Sequence, residues 1–432
     1  MGLLSLNVSA VAAVVLVALT LPSFAQLRGH GGPVRALAVS SDGATALSGS
    51  FDSAAIRWSL SGNSAEAVLR HHDNAVNAVA FLPEGRMATA GEDGRIAIWN
   101  AGQAQPARVL EGHSGPIAGL SVSPDGRLLA SASWDQTIRL WPLSGGAPRI
   151  LEGHTSNVNG IAFTPDGKAL ASAGYDATLR IWPIASEGAP QVVSVPAPLN
   201  GLAILPNGVI VAGGADGKIR FISAKGVVEA EIAASESPII AIAAAHDGLL
   251  IAAAGVRGAV AIIDAPARQV VRTLVGPGLP IWSAVFLPDN KTLLTGGTDR
   301  LIRRWDAIKG EHSGSVALAN VSDPLAAFAG DRGAEIYRAC VACHALSLSE
   351  GQRAGPSLHG LFGRKIGSLP GYAFSAALRG MDVVWTPETV SKLFEIGPNA
   401  YTPGTKMPEQ RITSAEDRAA LMQFLEKATR TN

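Results

Sequence analysis

The chain has 432 residues, of which 35 are lysine or arginine and 35 are aspartate or glutamate. This zero net charge gives no support for binding to nucleic acid or to an anionic membrane surface. Hydrophobic residues make up 47% and charged residues 16% of the chain, which excludes a largely disordered protein. The length allows two or three domains with a sizeable core.

The first 25 residues have the pattern of a signal peptide. An apolar run from Val11 to Leu21 is followed by Ser23 and Ala25, which are the small residues expected before a cleavage point. We therefore predict that residues 1–25 are removed, that Gln26 begins the mature chain and that the protein is periplasmic. The alternative is an uncleaved anchor, but the run is short for a membrane span and no later segment has that pattern.

A repeat of about 41 residues fills the first three quarters of the chain. The period is marked by four dipeptides, namely Gly29-His30, His71-His72, Gly112-His113 and Gly153-His154. Each dipeptide precedes an alternating apolar strand, a glycine turn, a second strand that ends near an aspartate and a third strand that ends on an aromatic residue. Glycine in these turns supplies a positive φ. Seven such units predict an all-β propeller.

These units resemble the WD-repeat family over about residues 27–319, with Trp305-Asp306 as a literal Trp-Asp pair. The resemblance implies a hydrogen-bonded set of His, Ser or Thr, Asp and Trp within each well-formed blade. The implied tetrads are His30, Ser48, Asp52, Trp58; His72, Thr89, Asp93, Trp99; His113, Ser131, Asp135, Trp141; and His154, Ser172, Asp176, Trp182. Blades five to seven lack the histidine, although blade seven keeps Thr295, Asp299 and Trp305.

The repeated histidines and aspartates invite a metal-binding or catalytic interpretation, but four copies at one period favour a framework role. A buried aspartate needs a partner, and the tetrad supplies one. We therefore predict that the propeller is a docking platform and that no residue is catalytic. Residues 185–280 are apolar and poor in charge. They are either ordinary divergent strands or a side that packs against the second domain or a partner.

Cys340 and Cys343 are the only two cysteines, and His344 follows them directly. This C-x-x-C-H spacing predicts covalent attachment of one haem c per chain. The alternative is a redox-active cysteine pair, but the βαβ pattern that accompanies a thioredoxin-like pair is not visible. With both cysteines bound to haem, the chain has no disulfide framework.

The segment from about 328 to 430 resembles class I c-type cytochromes, the group that includes mitochondrial cytochrome c. Two tracts carry this resemblance, Gly355–Lys365 and Tyr401–Met407. It predicts a multidomain protein: a signal peptide at 1–25, a seven-bladed propeller at 26–319, a linker at 320–330 and an all-α cytochrome c domain at 331–432.

The resemblance also implies the roles of individual residues. Cys340 and Cys343 form the thioethers, His344 and Met407 are the axial iron ligands, and the Pro356 carbonyl accepts a hydrogen bond from His344. Arg364 and Trp385 approach the haem propionates. Met381 and Met422 are the other candidate ligands, but Met381 falls in a loop and Met422 belongs to the apolar face of the last helix.

Helix packing is predicted as well. Asp331 caps the first helix, and Gly333 and Tyr337 meet Phe424 of the last helix, which Ser414 begins. Phe374 and Phe394 replace two tyrosines of the family, so two hydroxyls are missing near the haem. Lysines are sparse, so we expect docking to rely on the propeller.

The sequence thus predicts a periplasmic electron-transfer protein in which a low-spin His/Met haem c relays single electrons. The partner is a dehydrogenase, reductase or oxidase, with no nucleic acid and no integral membrane segment after signal cleavage. One alternative is an oxidoreductase, or a subunit of one, whose propeller binds a second cofactor or substrate. The other is a scaffold that responds to redox state.

Overall fold

Seven antiparallel sheets form the blades of a propeller, and a small helical domain follows them. This confirms the predicted fold class. The computed structural model describes residues 26–103, 105–185, 188–276, 278–312, 325–328, 330–337, 340, 344–347, 355–370, 372, 374, 376–403, 405, 407, 412 and 414–430. The predicted signal peptide lies outside these residues.

The strands of the described residues follow the repeat, with four strands in each of blades one to six and five in blade seven. Blades one to three comprise β2 Val34–Val39, β3 Thr45–Ser50, β4 Ala54–Ser59, β5 Ser64–Arg70; β6 Val76–Phe81, β7 Met87–Gly91, β8 Ile96–Trp99, β9 Arg108–Leu110; and β10 Ile117–Val122, β11 Leu128–Ser133, β12 Ile138–Pro142, β13 Arg149–Leu151. Blades four to six comprise β14 Val158–Phe163, β15 Ala169–Gly174, β16 Thr178–Pro183, β17 Gln191–Ser194; β18 Leu199–Ile204, β19 Ile210–Gly214, β20 Lys218–Ile222, β21 Val228–Ala233; and β22 Ile239–Ala244, β23 Leu250–Gly255, β24 Ala259–Asp264, β25 Gln269–Val275. Blade seven comprises β26 Ile281–Phe286, β27 Thr292–Gly297, β28 Leu301–Asp306, β29 Glu311–His312 and the N-terminal β1 Gln26–Arg28.

The blades close into a ring through their innermost strands. Each of β2, β6, β10, β14, β18 and β22 contacts the innermost strand of the next blade, and β26 contacts β2. Blade seven takes its outer strand from the start of the described chain, because β1 pairs with β28 and places Leu27 opposite Ile302. The two ends of the propeller are therefore joined by backbone hydrogen bonds, which leave the ring without an open seam.

The four predicted tetrads are present. In blade one, Trp58 Nε1 donates to Ser48 Oγ at 2.7 Å, and His30 lies 2.7 Å from the same oxygen through Nε2 and 3.0 Å from Asp52 through Nδ1. Blades two to four repeat these bonds around His72, His113 and His154. The Trp58 side chain is buried, where its polar group needs a partner. The hydrogen bonds of the tetrad supply such partners inside the same blade. This confirms the framework interpretation.

Blades without the histidine satisfy their aspartates differently. In blades five and seven an arginine four residues after the aspartate takes the place of the histidine: Arg220 pairs with Asp216, and Arg303 pairs with Asp299. Arg220 is fully buried and also contacts Glu231 at 2.9 Å. Blade six has an apolar core at the equivalent strands. The sequence analysis missed both arginine pairs.

The helical domain contains α1 Arg332–Tyr337, α2 Ala376–Arg379, α3 Pro387–Ile396, α4 Pro398–Tyr401 and α5 Ala415–Ala428. Two short 3-10 turns, Pro83–Gly85 and Ala326–Phe328, lie outside these helices. No helix of the described residues is both long and apolar enough to span a membrane.

Helices α1 and α5 pack closely, as predicted. Asp331 caps α1, because its Oδ1 accepts from the backbone N–H of Gly333 at 2.8 Å. A Cβ at Gly333 would lie only 2.5 Å from Phe424 Cβ, so glycine is needed where the helices meet. The Tyr337 ring packs on Phe424 with centroids 5.3 Å apart, and Ser414 Oγ caps α5 by accepting from Asp417 N–H at 3.1 Å.

The Asp93 carboxylate makes the stability of the propeller dependent on pH. Burial raises its pKa, but the hydrogen bond and charge of His72, together with Arg95, lower it to about 2. An unperturbed aspartate has a pKa of about 3.9. The Asp93 carboxylate therefore stabilises the folded state above about pH 4, and this contribution is lost as the pH falls towards 2. We expect Asp93→Asn to lower the free energy of unfolding at pH 7 by on the order of 2 kcal/mol. The variant should also show a weaker fall of this free energy with pH below about pH 4.

Urea unfolding followed by tryptophan fluorescence, repeated at stepped pH, measures this effect. Asp247→Asn is the matched control, because Asp247 is an exposed turn residue in blade six. Equal losses of stability in the two variants would contradict the prediction.

Candidate functional site

A cavity of about 210 Å³ lies among the helices and loops of the helical domain. A single water molecule occupies about 30 Å³ in the liquid, so the cavity has room for a larger group. The helical domain supplies a lining of Tyr337, Cys340, His344, Gly355, Pro356, Leu358, Leu361, Arg364, Lys365, Ile366, Gly367, Tyr372, Phe374, Leu378, Trp385, Val390, Leu393, Phe394, Thr402, Thr405, Met407, Leu421 and Leu425. Apolar and aromatic side chains dominate, as in sites that bury an organic cofactor.

The structure brings the predicted site residues together around this cavity. Cys340, His344, Pro356, Arg364, Trp385 and Met407 all line it. Cys343 lies outside the described residues. Residues separated by more than sixty positions in sequence thus surround one space, and they offer it a thiol, an imidazole and a thioether.

The His344 imidazole is held in one orientation. Its Nδ1 lies 2.8 Å from the Pro356 carbonyl oxygen. Since a carbonyl can only accept a hydrogen bond, Nδ1 carries a proton, and in the neutral imidazole the lone pair therefore belongs to Nε2. The backbone of Gly355 lies against the ring, because a Cβ there would come within 2.7 Å of Nδ1. This arrangement suits a metal ligand that binds through Nε2.

The backbone of His344 is fixed from the helical side. The Tyr337 hydroxyl donates to the His344 carbonyl at 2.9 Å, and the His344 N–H donates to the Cys340 carbonyl at 2.9 Å. Tyr337 itself is buried between α1 and α5. The packing of these two helices therefore supports the imidazole.

Met407 is the methionine that lines the cavity. It packs against the core of the helical domain, and its N–H donates to Thr405 Oγ1 at 3.2 Å. Met422 is buried within α5, whereas Met381 is half-buried in the turn after α2, and neither is part of the lining. The position of Met407 agrees with the sequence prediction.

Arg364 and Trp385 are held next to each other by backbone pairing. Trp385 N–H donates to the Arg364 carbonyl at 2.9 Å, and Lys365 pairs with Val384 in an isolated bridge. The Arg364 guanidinium donates to the carbonyls of Ser357 at 2.8 Å and His359 at 3.0 Å. Burial lowers the pKa of Arg364, but arginine remains charged at neutral pH. This cation suits the carboxylates of a bound ligand.

The sequence analysis missed several lining residues. Tyr372 is one of them; it packs edge-on against Phe374, which the sequence analysis had named, with centroids 4.7 Å apart. The propeller contributes Phe51, Ser53, Asp73, Asn74, Ala75 and Glu92. Among the described residues, none of the lining comes from 185–280, the segment considered as a contact surface from its composition. No sequence signal marked the turns of blades one and two.

Within the described residues, no group of three or more His, Cys, Asp or Glu side chains is arranged to hold a metal ion. The repeated His-Asp pairs are engaged in the tetrads instead.

Comparison with known families and proteins matches both parts of the chain. The family described as "Cytochrome c" matches residues 330–429, and the family described as "WD domain, G-beta repeat" matches residues 22–59, 63–100, 104–142, 146–183 and 268–306. The chain is 40% identical over 100 residues to "Cytochrome c" of Cochliobolus lunatus, covering 23% of this chain and 92% of that protein. It is 40% identical over 100 residues to "Cytochrome c" of Arabidopsis thaliana, covering 23% and 88%. It is 42% identical over 90 residues to "Cytochrome c type-1" of Ascaris suum, covering 20% and 77%.

The support that Tyr337 gives to His344 is testable. Tyr337→Phe keeps the ring packing but removes the hydroxyl that donates to the His344 carbonyl. We expect a loss of about 1 kcal/mol in the stability of the helical domain, measured by denaturation of the full chain. Tyr175→Phe is the control, since Tyr175 is 51% exposed in blade four. An unchanged Tyr337→Phe protein would show that the hydrogen bond contributes nothing.

Proposed function

Since the chain belongs to the cytochrome c family through its last hundred residues, which follow a seven-bladed propeller of WD40 repeats, we propose that it is a periplasmic electron-transfer protein with a His/Met-ligated haem c. A cytochrome c domain implies a covalent haem c and haem-based electron transfer. The observation that carries the finer proposal is the presence of His344 and Met407 on the lining of one apolar cavity.

The lining residues fit a haem c. Cys340 and Cys343 would form the two thioethers, His344 would hold the iron through Nε2, and Met407 would offer its sulfur as the second axial ligand. When bound, the haem supplies reversible one-electron exchange. The Pro356 carbonyl keeps the imidazole oriented, the surrounding leucines and phenylalanines exclude water, and Arg364 places a positive charge at the rim.

If His344 and Met407 both held the iron, no position would remain there for a substrate, so an electron carrier is favoured over an enzyme. The thioether also stabilises the ferrous state, which raises the reduction potential.

The propeller is the proposed platform for a redox partner protein, such as a dehydrogenase, a reductase or an oxidase. Large aromatic side chains at equivalent turns of blades three and four are exposed to solvent: Trp134 is 41% and Tyr175 is 51% exposed. The Trp134 indole is held by a hydrogen bond to Asn159 Oδ1 at 3.1 Å. Rigid aromatic anchors of this kind are enriched at protein interfaces.

The choice of Met407 as ligand is tested by replacing methionines one at a time. Met407→Leu removes the thioether, so we expect the midpoint potential to fall by on the order of 100 mV and the reduced protein to bind carbon monoxide. Met381→Leu and Met422→Leu are the matched controls and should keep a closed, low-spin haem spectrum. Carbon monoxide binding by the Met381 variant, with none by the Met407 variant, would overturn the assignment.

The periplasmic location is tested at the N terminus. Strand β1 begins at Gln26, so cleavage after Ala25 would leave the strand that closes blade seven intact. We expect N-terminal sequencing of protein from a periplasmic fraction to read Gln-Leu-Arg. Ala25→Leu should retain the leader, because a cleavage site requires a small residue at this position. A wild-type protein that keeps residues 1–25 in the membrane fraction would exclude cleavage.

A further inference from the structure

The cavity of the helical domain is completed by the propeller of the same chain. Phe51 and Ser53 come from the turn after β3, Asp73–Ala75 from the loop between β5 and β6, and Glu92 from the turn after β7. We call these six residues the haem-facing turns. They belong to two adjacent blades and line the same space as His344 and Met407.

The haem-facing turns are rigid because they adjoin tetrad residues. Phe51 directly precedes Asp52, and Glu92 directly precedes Asp93; both aspartates are fixed by hydrogen bonds to histidine. The Phe51 ring also packs against Trp282 of blade seven, with centroids 6.3 Å apart. A position held by two blades in this way can present a fixed side chain to its neighbour.

Phe51 differs from its equivalents in other blades. Trp134 and Tyr175 occupy the same place before the tetrad aspartate in blades three and four, and they are 41% and 51% exposed. Phe51 is only partly exposed and lines the cavity. The same turn position therefore has an open aromatic residue in two blades and a covered one in blade one.

The charges at the cavity are complementary. Asp73 and Glu92 come from the propeller, where Asp73 also pairs with Arg95, whereas Arg364 and Lys365 of the helical domain line the same cavity. Opposite charges on the two sides favour this orientation of the domains.

We propose that the haem-facing turns cover the opening of this cavity within the same chain. They thereby set how far a bound haem is exposed to water and which charges lie near it. This inference rests on the proposed function, because it takes the cavity to hold haem c. An external redox partner would then recognise an edge that the propeller helps to form.

Two substitutions in the full-length holoprotein test the proposal, since they should shift the midpoint potential in opposite directions. Phe51→Ala admits water, which stabilises the more highly charged ferric state, so the potential should fall. Glu92→Gln removes a negative charge that stabilises the ferric state, so the potential should rise. Val275→Ala, on the exposed outer strand of blade six, and Glu236→Gln, in the exposed loop between β21 and β22, are the controls away from the cavity; they should leave the potential unchanged.

The rate of reduction by ascorbate gives a second measurement. Because ascorbate is an anion, Glu92→Gln should accelerate reduction on the order of threefold at low ionic strength, and the gain should vanish at high salt. Phe51→Ala should accelerate reduction at every salt concentration by opening the crevice.

The outcomes separate this proposal from the proposed function. Potentials and rates equal to those of the controls, in proteins with a normal low-spin haem spectrum, would overturn the covering role and leave electron transfer standing. Absence of covalent haem from the wild-type protein would instead overturn the proposed function. If Phe51→Ala fails to fold, Glu92→Gln, which removes the charge of a partly buried side chain and keeps its shape, still decides the question.

Discussion

The hydrogen bond from His344 Nδ1 to the Pro356 carbonyl is the interaction on which the site depends. It places the imidazole proton on Nδ1, so the lone pair of the neutral ring lies on Nε2, on the side away from the Pro356 carbonyl. The glycine before Pro356 lets the backbone approach the ring, and Tyr337 anchors the His344 carbonyl from the other side. Because Tyr337 packs on Phe424, the contact between α1 and α5 is transmitted to the imidazole.

The propeller meets a similar demand in six of its seven blades, because an aspartate at a blade turn must be satisfied where it is buried. Blades one to four use histidine, and blades five and seven use an arginine four residues further on. Each solution is confined to its own blade, so a blade keeps its turns in place without help from a ligand. The residues beside Asp52 and Asp93 inherit this rigidity, and those residues face the helical domain.

The framework was predictable because its signals are local and repeated. The 41-residue period located the repeats, and the resemblance to the WD-repeat family then implied all four tetrads. The helix caps at Asp331 and Ser414 followed from short-range chemistry. The cavity residues within Gly355–Lys365 and Tyr401–Met407 were predicted from the resemblance of those two tracts to class I c-type cytochromes. The arginine pairs were missed because Arg220 does not occupy the position of the histidine that it replaces. Phe51 and Glu92 were missed because their role depends on how two domains meet, which no periodicity encodes.

Joining the two domains in one chain changes what the contact between them requires. Free partners lose translational and rotational freedom when they associate, whereas tethered domains meet at a high effective concentration. A few side chains on two blades are then sufficient to hold a domain that has few lysines for steering. A contact of this kind can remain small and partly charged, so it can open without unfolding either domain. The bonds that hold the propeller together lie within its own blades, so they do not depend on this contact.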